Sequence, residues 1–123
     1  MILVVDDDAS VRATIAAALA ALGYALREAP RGVGAVAMVR ADLPSLVILD
    51  YVMPGMDGAE TARAIAAIDP DVPIVFSTGH AALRALRAAA GEEIEVLEKP
   101  FTLDELDALV RARLTERRRA RIA

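Results

Sequence analysis

Four polar groups stand at the ends of short apolar runs, and their types fit one kind of chemistry. Asp6-Asp7-Asp8 follow "ILVV" (2–5), Asp50 follows "LVIL" (46–49), Ser77-Thr78-Gly79 close "IVFS" (74–77), and Lys99-Pro100 follow "IEVL" (94–97). Carboxylates gathered from two adjacent strands repel one another unless a cation lies among them. Oxygen donors without His or Cys suit a hard ion, and few carboxylates plus water suit Mg²⁺ better than Ca²⁺. A carboxylate facing Mg²⁺, beside a hydroxyl and a fixed ammonium, is suited to a phosphoryl group. The carboxylate can then act as a nucleophile and form an acyl phosphate. Asp50 stands alone after its run and is the natural acceptor.

Composition singles out the ammonium. The chain has thirteen arginines and one lysine, Lys99, directly before a proline. A compact point charge on a flexible stem can meet a single oxygen, where a planar Arg fork favours bidentate pairing. Lys99 is therefore read as the charge that neutralises Asp50 at rest and a phosphoryl oxygen after modification.

These groups must be positioned by elements that alternate regularly. The apolar runs, with "YALRE" (24–28) as a fifth, read as strands, and helical spacing separates them. Val11, Ile15, Leu19 and Leu22 form one stripe, Val33, Val36 and Val39 a second, and Ala62, Ile65 and Ile68 a third. Leu83 and Leu86 mark a short fourth helix; Leu103, Leu106, Val110 and Leu114 mark the fifth. Asp8 or Ser10 can cap the first helix, Asp57 the third, and Thr102 with Glu105 the fifth as a capping box. Gly23 and Gly91 close the first and fourth.

Five strands alternating with five helices predict an α/β fold, a doubly wound five-stranded parallel sheet of flavodoxin-like (βα)5 type. "LVIL" and "IVFS" read as central strands, and "YALRE" and "IEVL", which carry charge, as edges. An order of 2-1-3-4-5 puts strands one and three together at the switch point, where open α/β sheets form a crevice at the strands' carboxyl ends.

At 123 residues, 56% hydrophobic and 26% charged, the chain is one globular domain rather than a disordered segment. No stretch reaches the ~18 apolar residues of a membrane span. The opening "MILVV" lacks the basic start of a signal peptide. With no cysteine, disulfides and thiolate metal sites are excluded, and a cytoplasmic setting is the default. A net charge of −4 speaks against direct nucleic-acid binding. Arg111, Arg113, Arg117, Arg118, Arg119 and Arg121 crowd the end of the sequence. They read as a solvated helix end whose cations complement the dipole, since no aromatics interleave them. The expected division is a domain over 1–116 and a basic tail over 117–123.

The motifs "VVDDD" (4–8), "LDYVMPGMDG" (49–58), "STG" (77–79) and "EKPF" (98–101) together make the chain resemble a response-regulator receiver domain of two-component signalling, over essentially its whole length. The resemblance implies that Asp50 accepts phosphate from a phosphohistidine of a histidine kinase or phosphotransfer protein. It implies that Asp6, Asp7 and Asp50, with the Val52 backbone carbonyl, hold Mg²⁺, and that Thr78 and Lys99 meet phosphoryl oxygens. The Lys99–Pro100 peptide is then expected to be cis, and Met53, Pro54 and Gly58 to shape the loop after the acceptor. Val52 and His80 are expected to modulate the lifetime of the phosphorylated form. Val96 stands where the family often keeps an aromatic switch, which makes Val96, Pro100 and Phe101 the candidate switch region. A kinase would dock across Val11, Arg12 and Ile15 and the Pro100-Phe101 loop. Leu83, Arg84, Arg87 and Asp107, on the fourth and fifth helices, would form the output face and a possible phosphorylation-dependent homodimer contact.

Two other readings compete. A phosphatase of the haloacid dehalogenase class also uses an Asp nucleophile, in an Asp-x-Asp followed by Gly-Thr. Asp6 and Asp8 have that spacing, but Ala9-Ser10 follow. A binding module keeping the fold but signalling without phosphate has Val96 in its favour. A free-standing regulator and the receiver of a hybrid kinase both remain open.

Overall fold

Strand β1 (Ile2–Val5) is apolar at every position and buried throughout, because helices cover both of its faces. The computed structural model describes residues 1–122, with side chains through Arg119; Ala123 and the Arg121 side chain of the expected tail lie outside the described residues. Helix α1 (Ala9–Ala21) follows, then β2 (Leu26–Ala29), α2 (Gly32–Ala41), β3 (Leu46–Asp50), α3 (Gly58–Ile68) and β4 (Ile74–Gly79). A short 3₁₀ turn (His80–Ala82), α4 (Leu83–Ala90), β5 (Glu95–Lys99) and α5 (Leu103–Ile122) complete the order. All strands run parallel in the order β2-β1-β3-β4-β5, the doubly wound topology that the alternation predicts.

The period-2 alternation of the strands divides the core in two. Ile2, Val4, Ile48, Val75 and Leu97 face α1 and α5, where Ile15, Leu19, Leu106 and Val110 meet them. Leu3, Val5, Leu49 and Phe76 face α2, α3 and α4 and pack on Val36, Val39, Ile65 and Leu86. The edge strands β2 and β5 are only partly buried, as their charged residues predict.

The helix ends follow their cap chemistry. Asp8 Oδ1 accepts from the Ser10 and Val11 N–H groups. Asp57 and Glu60 form a full capping box on α3, and Thr102 with Glu105 forms one on α5. Gly23 and Gly91 follow α1 and α4 with φ of 91° and 99°, a region that L side chains rarely adopt.

Several expectations need correction. On α2 the buried face is Gly32, Ala35, Val36 and Val39, and Val33 is 68% exposed. A 33/36/39 spacing drifts off a 3.6-residue face, whereas 32/35/36/39 stays on it. Leu103 is likewise exposed in the first turn of α5. Strand β2 starts at Leu26 rather than Tyr24, while β4 and β5 continue to Gly79 and Lys99.

Candidate functional site

Asp6 directly follows β1 and Asp50 ends β3, and the pairing of Val5 with Leu49 sets these two carboxylates side by side at the switch point. Asp7 joins them: Asp6, Asp7 and Asp50 each offer an oxygen, all within 4.8 Å of one another. Asp6 and Asp50 are buried and Asp7 is exposed, so the cluster opens to solvent on one side. An all-carboxylate donor set of this kind fits a hard divalent cation that keeps part of its water. Asp8 points elsewhere. Its side chain is spent on capping α1, so the Asp6-x-Asp8 spacing of the phosphatase reading produces no carboxylate pair.

Asp6 is the most tightly held group. Its Oδ1 accepts from the Asp8 N–H at 2.9 Å, its Oδ2 accepts from Lys99 Nζ at 2.9 Å, and its backbone carbonyl accepts from Arg12 Nη1 at 2.8 Å. Arg12 also pairs with Glu28 of β2 at 3.3 Å. The Lys99 ammonium reaches Asp50 only at 3.6 Å. Lys99 thus pairs with Asp50 and, more closely, with Asp6, a partner the sequence did not suggest. The physical reason is burial, because Asp6 is 1% exposed and a carboxylate that deep needs a compensating charge.

Burial pushes the Asp50 carboxyl up to about 7. Lys99 pulls it back down, while Asp6 and Asp7 push it further up. In the metal-free chain Asp50 is thus a carboxylate under electrostatic stress, which a cation in the cluster would relieve.

Behind Asp50 the backbone is closed by Gly58. Its N–H donates to the Tyr51 carbonyl at 2.8 Å, and a Cβ at this position would collide with the Asp50 carbonyl and the Tyr51 backbone. Met53 is buried in the loop between, while Pro54 is exposed.

The remaining predicted residues fall into place unevenly. Thr78 is buried near the end of β4, one residue beyond the partner of Asp50. Val52 lies in the loop after β3 with its side chain 61% exposed. His80 starts the 3₁₀ turn, and its Nδ1 lies 2.8 Å from Glu98 Oε1. Val96 is half-buried and packs into the core on the α2–α4 side. The Lys99–Pro100 peptide is cis, Pro100 is exposed, and Phe101 packs against the α1–α5 core. Ser10, Val11, Thr14, Ile15, Lys99, Pro100 and Phe101 line a groove between α1 and the β5–α5 loop, with Ile15, 2% exposed, at its floor where the groove meets the core. On the α4–α5 side Arg84 is exposed, Leu83 is half-buried, and Asp107 pairs within its own helix with Arg111 at 2.9 Å.

Two partners were not anticipated, the Arg12 bond to the Asp6 carbonyl and the Glu98 bond to His80. The sequence carries a signal only for the second. Glu98 and His80 stand on adjacent strand ends, and the register pairs Thr78 with Glu98.

Comparison with known proteins agrees with this geometry. The family model of the response regulator receiver domain matches residues 2–111. A curated relative, the response regulator MprA of Mycobacterium avium, is 39% identical over 115 residues, covering 92% of this chain and 50% of that protein. The chain spans about half the length of the curated relatives it matches. Among solved structures, the receiver domain of NtrX from Brucella abortus superimposes with a TM-score of 0.86 at 30% identity, covering 94% of this chain and 98% of that one. A CheY-like receiver domain protein from Methanospirillum hungatei shares the fold, with a TM-score of 0.86 at 24% identity over 97% of this chain and 96% of that one.

Proposed function

The chain belongs to the response regulator receiver domain family, and on that premise we propose that Asp50 is the acceptor of a phosphoryl group delivered by a histidine kinase or phosphotransfer protein. The observation that carries this reading is the convergence at one strand end of three carboxylates within 4.8 Å and a lysine 3.6 Å from Asp50. An Asp50 oxygen attacks the phosphorus of a phosphohistidine. The new O–P bond forms as the P–N bond breaks, and the imidazole leaves with the electron pair and takes a proton from solvent.

Asp6, Asp7 and Asp50, with the Val52 carbonyl, would hold Mg²⁺, which when bound neutralises charge on the transferring group. Lys99 supplies a second positive charge from β5, and Thr78 a hydroxyl for a phosphoryl oxygen. Asp6 serves this purpose because it is fixed twice over, by the Asp8 N–H and through Arg12. The buried strand ends keep bulk water from one side of Asp50, which is 7% exposed.

The groove at Val11, Thr14 and Pro100-Phe101 is the docking surface that best fits the phosphodonor. The face of α4 and α5, with Arg84 and Arg87, is the surface on which a target or a second copy would read the phosphorylated state. No helix among the described residues is long and apolar enough to cross a membrane, which accords with a cytoplasmic role. Incubation with acetyl phosphate and Mg²⁺ tests the acceptor. The expected result is one phosphoryl group per chain, lost in Asp50→Asn by at least about a hundredfold; equal labelling of that variant would overturn the assignment.

A further inference from the structure

Ser77 is a buried polar side chain that the site as described does not use. It is 1% exposed, and among the described residues its Oγ has no hydrogen-bond partner. A buried hydroxyl left unpaired is destabilising, and a small apolar residue would fill the position without that cost.

Its location is set by register. Ser77 pairs with Asp50 on one side and with Leu97 on the other. Ile48, Val75 and Leu97 all pack into the α1–α5 side of the core, and alternation therefore places Asp50 and Ser77 on that same side of the sheet. Lys99 lies two residues beyond Leu97 on β5, yet its ammonium meets Asp6 and Asp50, on the two strands beyond β4. Lys99 pairs with Gly79, and Asp50 with Ser77, so the stem runs from the level of Gly79 back towards the level of Ser77 as it crosses the end of β4.

At rest the ammonium is committed to Asp6 Oδ2 at 2.9 Å, with Asp50 behind it at 3.6 Å. Both Asp6 oxygens are thus already partnered, and a cation in the carboxylate cluster competes with Lys99 for one of them. An ammonium has three donors and must replace whichever acceptor it gives up. We propose that Ser77 Oγ accepts a hydrogen bond from Lys99 Nζ in the phosphorylated chain, making Ser77 a positioning residue that holds the ammonium against the modified Asp50. This rests on the reading of Asp50 as the acceptor.

The test uses the full chain with Mg²⁺ and beryllofluoride, a stable mimic of the phosphoryl group, in wild type, Ser77→Ala, Lys99→Met and the double variant. Thermal melting and beryllofluoride affinity are measured for each. Without the mimic, Ser77→Ala is expected to melt at or above the wild-type temperature, since it removes an unpartnered hydroxyl. With the mimic it is expected to bind about tenfold more weakly, in the range of one hydrogen bond to a charged group. In the Lys99→Met background the same substitution is expected to change affinity less than twofold, because the donor is gone. Undiminished affinity in Ser77→Ala, an equal loss in the Lys99→Met background, or a resting chain destabilised as much as the loaded one would each overturn the proposal. If the wild type neither binds the mimic nor takes label from acetyl phosphate on Asp50, the acceptor reading fails first and this inference falls with it.

Discussion

The two sides of the site are built to different standards. The anionic side sits on β1 and β3, the strands buried on both faces, and Asp6 is held by a backbone N–H, an ammonium and an arginine on its carbonyl. The cationic side hangs from β5, an edge strand whose residues are mostly half-exposed, with an exposed proline after it. Carboxylates seated on doubly covered strands therefore face an ammonium that reaches them from a half-exposed edge. The difference teaches that the two signs of charge are not held by the same means: the anionic side rests on core strands, and the cationic side on one long stem.

The largest predicted effect outside the acceptor itself comes from removing the cationic side. Lys99→Met keeps the stem but leaves buried Asp6 without its cation, and should lower stability by about 3 kcal/mol in denaturant unfolding without metal. Added Mg²⁺ should restore much of that loss; no recovery would mean that the carboxylate cluster does not take a cation.

Next is the electrostatic stress on Asp50. Its folded-state value, about 7, lies above the ordinary value of 3.8. The native state therefore holds a proton that the unfolded chain has released, so this group reduces stability as pH rises from about 4 through 7. Asp50→Asn should then be more stable than wild type by roughly 2 kcal/mol at pH 8 without metal. That gap should close towards pH 4, as followed by melting across pH. A gap that widens on acidification would contradict the stressed carboxylate.

Loosening the anionic side should cost less. Arg12→Met removes the bond to the Asp6 carbonyl and the partly exposed Glu28 pair, an expected loss of about 1 kcal/mol with Mg²⁺ affinity down severalfold. Unchanged metal affinity would show that Asp6 is fixed well enough without it. Smallest are the rim residues. Val52→Asn and His80→Ala, both at exposed positions, should alter the half-life of phosphorylated Asp50 about two- to fivefold while leaving melting unchanged. If neither moves the half-life, the rim has no part in dephosphorylation.

Much of this contrast was legible in the sequence. Continuous apolar runs marked β1, β3 and β4, charges marked the edges, and the strand ends collected Asp6, Asp7, Asp50 and Lys99. What could not be read was reach. The sequence says which strand carries Lys99 but not how far its stem extends, so Asp50, rather than the more deeply buried Asp6, looked like its first partner. The face of α2 was misjudged for a related reason. Gly32 and Ala35 leave no mark on an apolar stripe, yet their small size lets α2 approach α3; a Cβ on Gly32 would collide with the Thr61 hydroxyl.

Gly58 gives the anionic side one further property. Its amide is tied to the Tyr51 carbonyl and its α-carbon lies against the Asp50 backbone, so the end of β3 and the start of α3 meet through backbone alone. Any side chain larger than hydrogen at this position would have to part the two, and the cost would fall on the strand end that carries Asp50.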